Sequence, residues 1–123
     1  MAIPLISVVD DDQSVRESLA RLIRSVGLDV EAFASAEEFL NAGPRRRAAC
    51  LILDIRMPGM SGLELQKALM VTDPELPVIF VTAHGSDKNL RARALSAGAV
   101  DYLLKPLQED EVLKAIDAAL NSK

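Results

Sequence analysis

Cysteine, histidine and aromatic residues are scarce in this chain, and each scarcity closes off a class of function. Of 123 residues, one is cysteine and one is histidine. The single Cys50 excludes an internal disulfide, and its place in an apolar stretch predicts a small buried residue with neither redox work nor a metal. His84 has no second histidine or cysteine to support it, so a loop residue fits it better than a metal ligand. Aromatics make up 3% of the chain, which leaves an aliphatic core and few rings to sandwich a flavin. No apolar run reaches membrane length and no basic region precedes the first strand, so neither export nor a membrane segment is predicted and the chain is expected to be cytoplasmic. The 14 lysines and arginines are outnumbered by 18 aspartates and glutamates. The net charge of -4 argues against nucleic acid as a direct partner. Arg45, Arg46 and Arg47 form the basic run, expected as a solvated loop after the Gly43-Pro44 breaker. Repeats, low-complexity segments and interdomain linkers are absent, which together with the length predicts a single domain over residues 1–123.

What is present is a repeated alternation of short apolar runs and amphipathic stretches. Ile3 to Val9 reads as a first strand with Pro4 near its start, followed by Asp10, Asp11 and Asp12. From Ser14, the residues Val15, Leu19, Leu22, Ile23 and Val26 recur at helical spacing, with Arg16, Glu17, Arg21 and Arg24 on the other face and Gly27 closing the helix. Val30 to Phe33 is a second strand, and Ser35 with Glu38 suggests a capping box for a short helix through Leu40, ending at Gly43. Cys50 to Asp54 is an apolar run ending in an acid and a Pro58-Gly59 turn, as expected of a strand buried on both faces. Ser61 and Glu64 then suggest a second capping box, for a helix carrying Leu63, Leu65, Leu69 and Met70 up to Asp73-Pro74. Val78 to Val81 is a fourth strand ending in Thr82, with a helix from about Ser86 to Ala97 stopped by Gly98. Val100 to Leu104 is a fifth strand ending in Lys105-Pro106, and a last helix from about Glu109 buries Val112, Leu113, Ile116 and Leu120. Five strands alternating with helices imply a parallel sheet with right-handed crossovers and helices on both faces.

The polar residues that stand out all lie at the C-terminal ends of strands, where open α/β sheets bind ligands. Asp10 and Asp11 follow the first strand, Asp54 the third, Thr82 the fourth and Lys105 the fifth. If the first and third strands are neighbours, Asp10, Asp11 and Asp54 converge, and several carboxylates in so small a space require raised pKa values or a cation. A hard divalent ion resolves that conflict, and Mg²⁺ fits oxygen ligands shared with a phosphate. Asp54 is then the best-placed nucleophile toward an incoming phosphoryl group, with Lys105 and the Thr82 hydroxyl to meet its oxygens. Asp12 is expected to be a helix cap or a solvent-facing neighbour rather than a ligand.

These residues resemble the receiver domains of two-component response regulators. The resemblance is carried by Val8-Val9-Asp10-Asp11, Val15-Arg16, Leu53-Asp54 through Met57-Pro58-Gly59-Met60-Ser61-Gly62, Val81-Thr82-Ala83, and Gly98 through Lys105-Pro106. It implies a flavodoxin-like (CheY-like) fold, a doubly wound five-stranded parallel sheet of order 2-1-3-4-5 with five helices. It implies phosphorylation of Asp54 by a sensor histidine kinase or a small phosphodonor, and Mg²⁺ held by Asp11, Asp54 and the main-chain carbonyl of Arg56, with Asp10 acting through water. Thr82 and Lys105 would contact the phosphoryl group, and the Lys105-Pro106 bond would be cis. Thr82 and Tyr102 would switch the face made by the fourth helix, fifth strand and last helix, Tyr102 otherwise being a half-buried aromatic that never moves. Arg56 and His84 would tune the lifetime of the phosphoryl group. The wording of residues 82–85 and 98–102 is most similar to receivers that precede a helix-turn-helix DNA-binding domain, so the chain is expected to be either a stand-alone receiver or part of a transcription regulator, not a turnover enzyme. Whether phosphorylation produces a homodimer stays open. Two rivals are a haloacid-dehalogenase-like phosphatase, suggested by the acid spacing of Asp10 and Asp12, and a flavodoxin-like binding module. The first lacks the length and further acidic motif of that family, and the second lacks a phosphate cradle after the first strand.

Overall fold

A computed structural model describes residues 3–42, 47–83 and 88–121. Strands and helices alternate in the order β1 (Leu5–Val9), α1 (Gln13–Ser25), β2 (Asp29–Phe33), α2 (Ala36–Asn41), β3 (Cys50–Asp54), α3 (Gly62–Thr72), β4 (Val78–Thr82), α4 (Lys88–Ser96), β5 (Asp101–Leu104) and α5 (Glu109–Leu120). The five strands form one parallel sheet of order β2-β1-β3-β4-β5. The expected topology is therefore present, with β1 and β3 adjacent at the point where the strand order reverses.

Side-chain alternation along each strand divides the core into two layers. Ile6 and Val8, Cys50 and Ile52, Ile79 and Val81, and Leu103 pack with Leu19 and Ile23 of α1 and with Val112, Ala115, Ile116 and Ala119 of α5. Val9, Leu51, Leu53, Val78, Phe80 and Tyr102 face the other way, against Ala36, Leu65, Leu69 and Ala94 of α2, α3 and α4. Extending the first set of rows past the strand ends reaches Asp10, Asp54 and Lys105. Extending the second reaches Thr82, which follows Phe80 by two residues and is likewise fully buried. The chemistry is thus grafted onto the continuation of the core rows.

Local signals account for most element boundaries. Asp12 is the N-cap of α1, its side chain accepting from the Ser14 amide at 2.9 Å, as expected of a cap. Gly27, at φ +84°, takes the left-handed position after the helix. Ser61 and Glu64 form a complete capping box on α3. The box on α2 is only half formed: Ser35 Oγ accepts from the Glu38 amide at 3.0 Å, but Glu38 reaches past the cap to the Ala34 amide at 3.4 Å.

Several expectations are corrected. β1 begins at Leu5, leaving Ile3 half exposed, while the Pro4 carbonyl accepts the Asp29 amide at 3.1 Å. β5 begins at Asp101. Met70 lies on the solvent side of α3, 52% exposed. In α5 the fully buried positions beside Val112 and Ile116 are Ala115 and Ala119, whereas Leu113 and Leu120 are half-buried. Small residues at the contact let this helix approach the sheet, and the larger leucines are displaced to its flanks. Tyr102 is 4% exposed, deeper than a half-buried edge aromatic. Arg47 is solvated as expected and pairs with Asp73 at 2.8 Å. Gly43, Pro44, Arg45, Arg46, His84, Gly85 and Ser86 lie outside the described residues. No helix among those described is long and apolar enough to cross a membrane.

Candidate functional site: an acidic rim with one amine

The site is built on the β1 and β3 ends. Asp10 is completely buried and is fixed on three sides: its amide donates to the Phe33 carbonyl at 3.1 Å, its Oδ1 accepts from the Asp12 amide at 2.9 Å, and its carbonyl accepts from Arg16 Nη1 at 2.7 Å. Asp11 beside it is exposed. Asp54 closes β3 and is 4% exposed. One carboxylate oxygen from each of Asp10, Asp11 and Asp54 lies within 4.8 Å of the others, so these three residues could hold a metal ion.

Lys105 reaches into this cluster from the end of β5. Its Nζ stands 2.9 Å from Asp10 Oδ2 and 3.5 Å from Asp54 Oδ2. Its own amide donates to the Thr82 carbonyl at 2.8 Å, which ties the lysine to the end of β4, and the Lys105–Pro106 bond is cis. Burial would lower the lysine's pKa, but the Asp10 and Asp54 carboxylates outweigh it and raise the value. Asp54 behaves in the opposite sense to a simple salt-bridged acid. Burial and the neighbouring Asp10 push its carboxyl up to about 6, despite the opposing pull of Lys105. One amine therefore does not balance three acids. An all-oxygen donor set with excess negative charge fits a hard divalent cation.

The structure thus brings Asp10, Asp11, Asp54 and Lys105 together. Thr82 is buried at the end of the adjacent strand, where Val81 is in register with Asp54. Arg56, two residues beyond Asp54, is exposed and lines a groove with Met57, Lys67, Leu90 and Arg93, between the β3–α3 loop and α4. Tyr102 lies one strand over, in register with Phe80, in the layer that Thr82 continues. Cys50, at the far end of β3, is fully buried, and burial pushes its thiol up to about 12, consistent with an inert core residue.

Two contributors escape a reading of motifs. Arg16 reads as a polar-face residue of α1, yet its guanidinium donates to the Asp10 carbonyl; its place in the Val15-Arg16 pair, four residues past Asp12, is the signal that marks it. Glu37 of α2 accepts the Met60 amide at 2.9 Å across 23 residues of sequence, and nothing local marks that contact.

The described response regulator receiver domain model matches residues 6–117. The chain belongs to the response regulator receiver family. Among curated relatives, the response regulator protein TodT of Pseudomonas putida is 49% identical over 116 residues, covering 94% of this chain and 51% of TodT. The transcriptional regulatory protein FixJ of Azorhizobium caulinodans is 44% identical over 115 residues, covering 94% of this chain and 54% of FixJ. Among solved structures, the response regulator StyR superposes with a TM-score of 0.87 at 47% identity, covering 98% of this chain and 61% of that one. The receiver spans about half the length of the curated relatives it matches. A family match along residues 6–117 does not favour the phosphatase or the flavodoxin-like binding module.

Proposed function

We propose that this receiver accepts a phosphoryl group on Asp54 from a sensor histidine kinase, or from a small phosphodonor, and relays it as a change of surface. The observation that supports this most is the convergence of the Asp10, Asp11 and Asp54 carboxylates with the Lys105 amine on one rim of the sheet. In the transfer, an Asp54 carboxylate oxygen forms a bond to phosphorus as the bond from phosphorus to the donor's imidazole nitrogen breaks, and the departing imidazole takes up a proton. Asp11, Asp54 and the main-chain carbonyl of Arg56 would hold Mg²⁺, with Asp10 supporting it through water. Bound there, Mg²⁺ would screen the phosphoryl oxygens from the surrounding acids. Lys105 pairs with one phosphoryl oxygen and the Thr82 hydroxyl donates to another. The chain itself is phosphorylated and loses the group again; it does not turn over a substrate.

Thr82 and Tyr102 carry the switch. The phosphoryl group draws on the Thr82 hydroxyl only when it is present, which biases the α4-β5-α5 face toward one of two arrangements. Arg56 and His84 set how long the phosphoryl group survives. The name of FixJ, a transcriptional regulatory protein about half of whose length is unmatched here, supports transcription regulation through a covalently attached DNA-binding output domain; the acidic balance of this chain supports a receiver that does not itself contact nucleic acid. The test is labelling with acetyl phosphate and Mg²⁺, read by mass spectrometry on intact protein. One phosphoryl group per chain, absent from Asp54→Ala, is expected. Loss of label only from Asp10→Ala would favour a phosphatase with its nucleophile on β1.

A further inference from the structure

The loop from β3 to α3 carries Arg56 on its rising side, and its backbone is anchored at several points. Its ends are closed by the Gly62 amide, which donates to the Ile55 carbonyl at 2.8 Å. Next to that closure the Ser61 amide donates to Glu64 Oε1 at 3.0 Å, inside the capping box of α3. Its crest is held from a different element. The Met60 amide donates to Oε2 of Glu37, a first-turn residue of α2, at 2.9 Å.

The geometry around this bond is specific. Gly59 has φ +77°, a conformation side chains disfavour, and a Cβ there would stand 2.6 Å from Glu37 Oε2. The glycine therefore both makes the turn and leaves room for the carboxylate. Glu37 lies in the first turn of its helix, where a negative charge is favoured. Bonding to the Met60 amide holds its carboxyl below the usual range, so it is ionised when it accepts. Met60 is itself packed against the α2–α3–α4 side of the core, so the crest is fixed by both its amide and its side chain.

We propose that Glu37 is a positioning residue for the cation site: by gripping the Met60 amide it fixes the β3–α3 loop and, through it, the Arg56 backbone. This rests on the Mg²⁺ reading given above. Glu37 touches neither the cation nor the phosphoryl group, so its effect is on how well the loop is organised to bind.

The test is a Mg²⁺ titration of Glu37→Ala and Glu37→Gln followed by amide chemical shifts, together with hydrogen exchange at the Met60 amide. In Glu37→Ala, Met60 exchange is expected to accelerate and Mg²⁺ to bind about threefold to tenfold more weakly, short of the ~10–100-fold loss seen when a partner bonded directly to a ligand is removed. Glu37→Gln keeps an oxygen acceptor and is expected to stay within about twofold of wild type. Unchanged Mg²⁺ affinity in Glu37→Ala would overturn the proposal, as would equal losses in both variants, since that would point to charge rather than to the bond. Failure of the wild-type protein to bind Mg²⁺ would instead overturn the cation reading on which the proposal rests.

Discussion

At the residue scale, the decisive feature is the mismatch between three acids and one amine. The Asp54 carboxyl is raised to about 6 in the fold, above its ordinary value of 3.8, so the native chain binds this proton more tightly than the unfolded chain does. The penalty for ionising it is fully present above about pH 6 and is relieved as pH falls from there toward 4. In metal-free buffer at pH 7.5, Asp54→Asn is therefore expected to be more stable than wild type by about 1–2 kcal/mol, with the gap closing near pH 4. Urea unfolding at the two pH values checks it, and equal stabilities at pH 7.5 would contradict it. Lys105 acts in the other direction. Removing its amine leaves the buried Asp10 beside Asp54 with no cation, so Lys105→Met is expected to cost about 2–4 kcal/mol in EDTA, with much of the loss recovered by Mg²⁺. The groups at the strand ends were legible in sequence because Asp10, Asp54, Thr82 and Lys105 each directly follow an apolar run, with Asp11 next to Asp10. Glu37 was not, and the contact Arg16 makes was not, although the pair it belongs to stands out in the sequence. Arg16 looks solvated until the first turn of α1 is placed over the Asp10 carbonyl, and Glu37 meets Met60 only through tertiary folding.

At the element scale, the junction of β3 and α3 joins the stability of the fold to the geometry of the site. Gly62 opens α3 so close to β3 that a Cβ would collide with the Asp54 carbonyl and come within 2.9 Å of the Ile55 Cα. Gly62→Ala is expected to push the helix start away from the strand end, at about 1–3 kcal/mol of stability, and to reduce phosphorylation of Asp54 as well. Ser61→Ala removes only the side-chain half of the capping box. It is expected to cost about 1 kcal/mol while labelling proceeds near the wild-type rate. Denaturant midpoints and acetyl phosphate labelling of the two variants separate these effects, and equal labelling defects would contradict the distinction. This box was legible because both members sit at fixed spacing just after a Pro-Gly turn. The burial of α5 was less so, because periodicity marks apolar residues without saying that alanines, not leucines, make the closest approach to the sheet.

At the scale of the whole molecule, strand–helix alternation was enough to give a parallel α/β sheet, but not its order. Placing β1 between β2 and β3 depends on pairing over long sequence separations, which local patterns do not encode; the family resemblance supplied it. The order matters because it brings together on one rim side chains that continue different layers. Asp10, Asp54 and Lys105 continue the layer under α1 and α5, whereas Thr82 and Tyr102 belong to the layer under α2, α3 and α4. A phosphoryl group on Asp54 that engaged Thr82, as proposed, would therefore couple the two layers through β4. Two apolar side chains meet solvent on the elements beside that coupling: Leu104 at the end of β5 is 50% exposed and Leu95 on α4 is 37% exposed. Exposed apolar side chains on an edge strand are natural contacts for a second copy. Beryllofluoride with Mg²⁺, standing in for the phosphoryl group, is expected to shift wild-type protein toward a dimer on gel filtration. Leu104→Asp is expected to remain monomeric while Asp54 still accepts phosphate from acetyl phosphate. A wild-type elution volume unmoved by beryllofluoride would disconnect the site from this face, and a Leu104→Asp dimer would place the contact elsewhere.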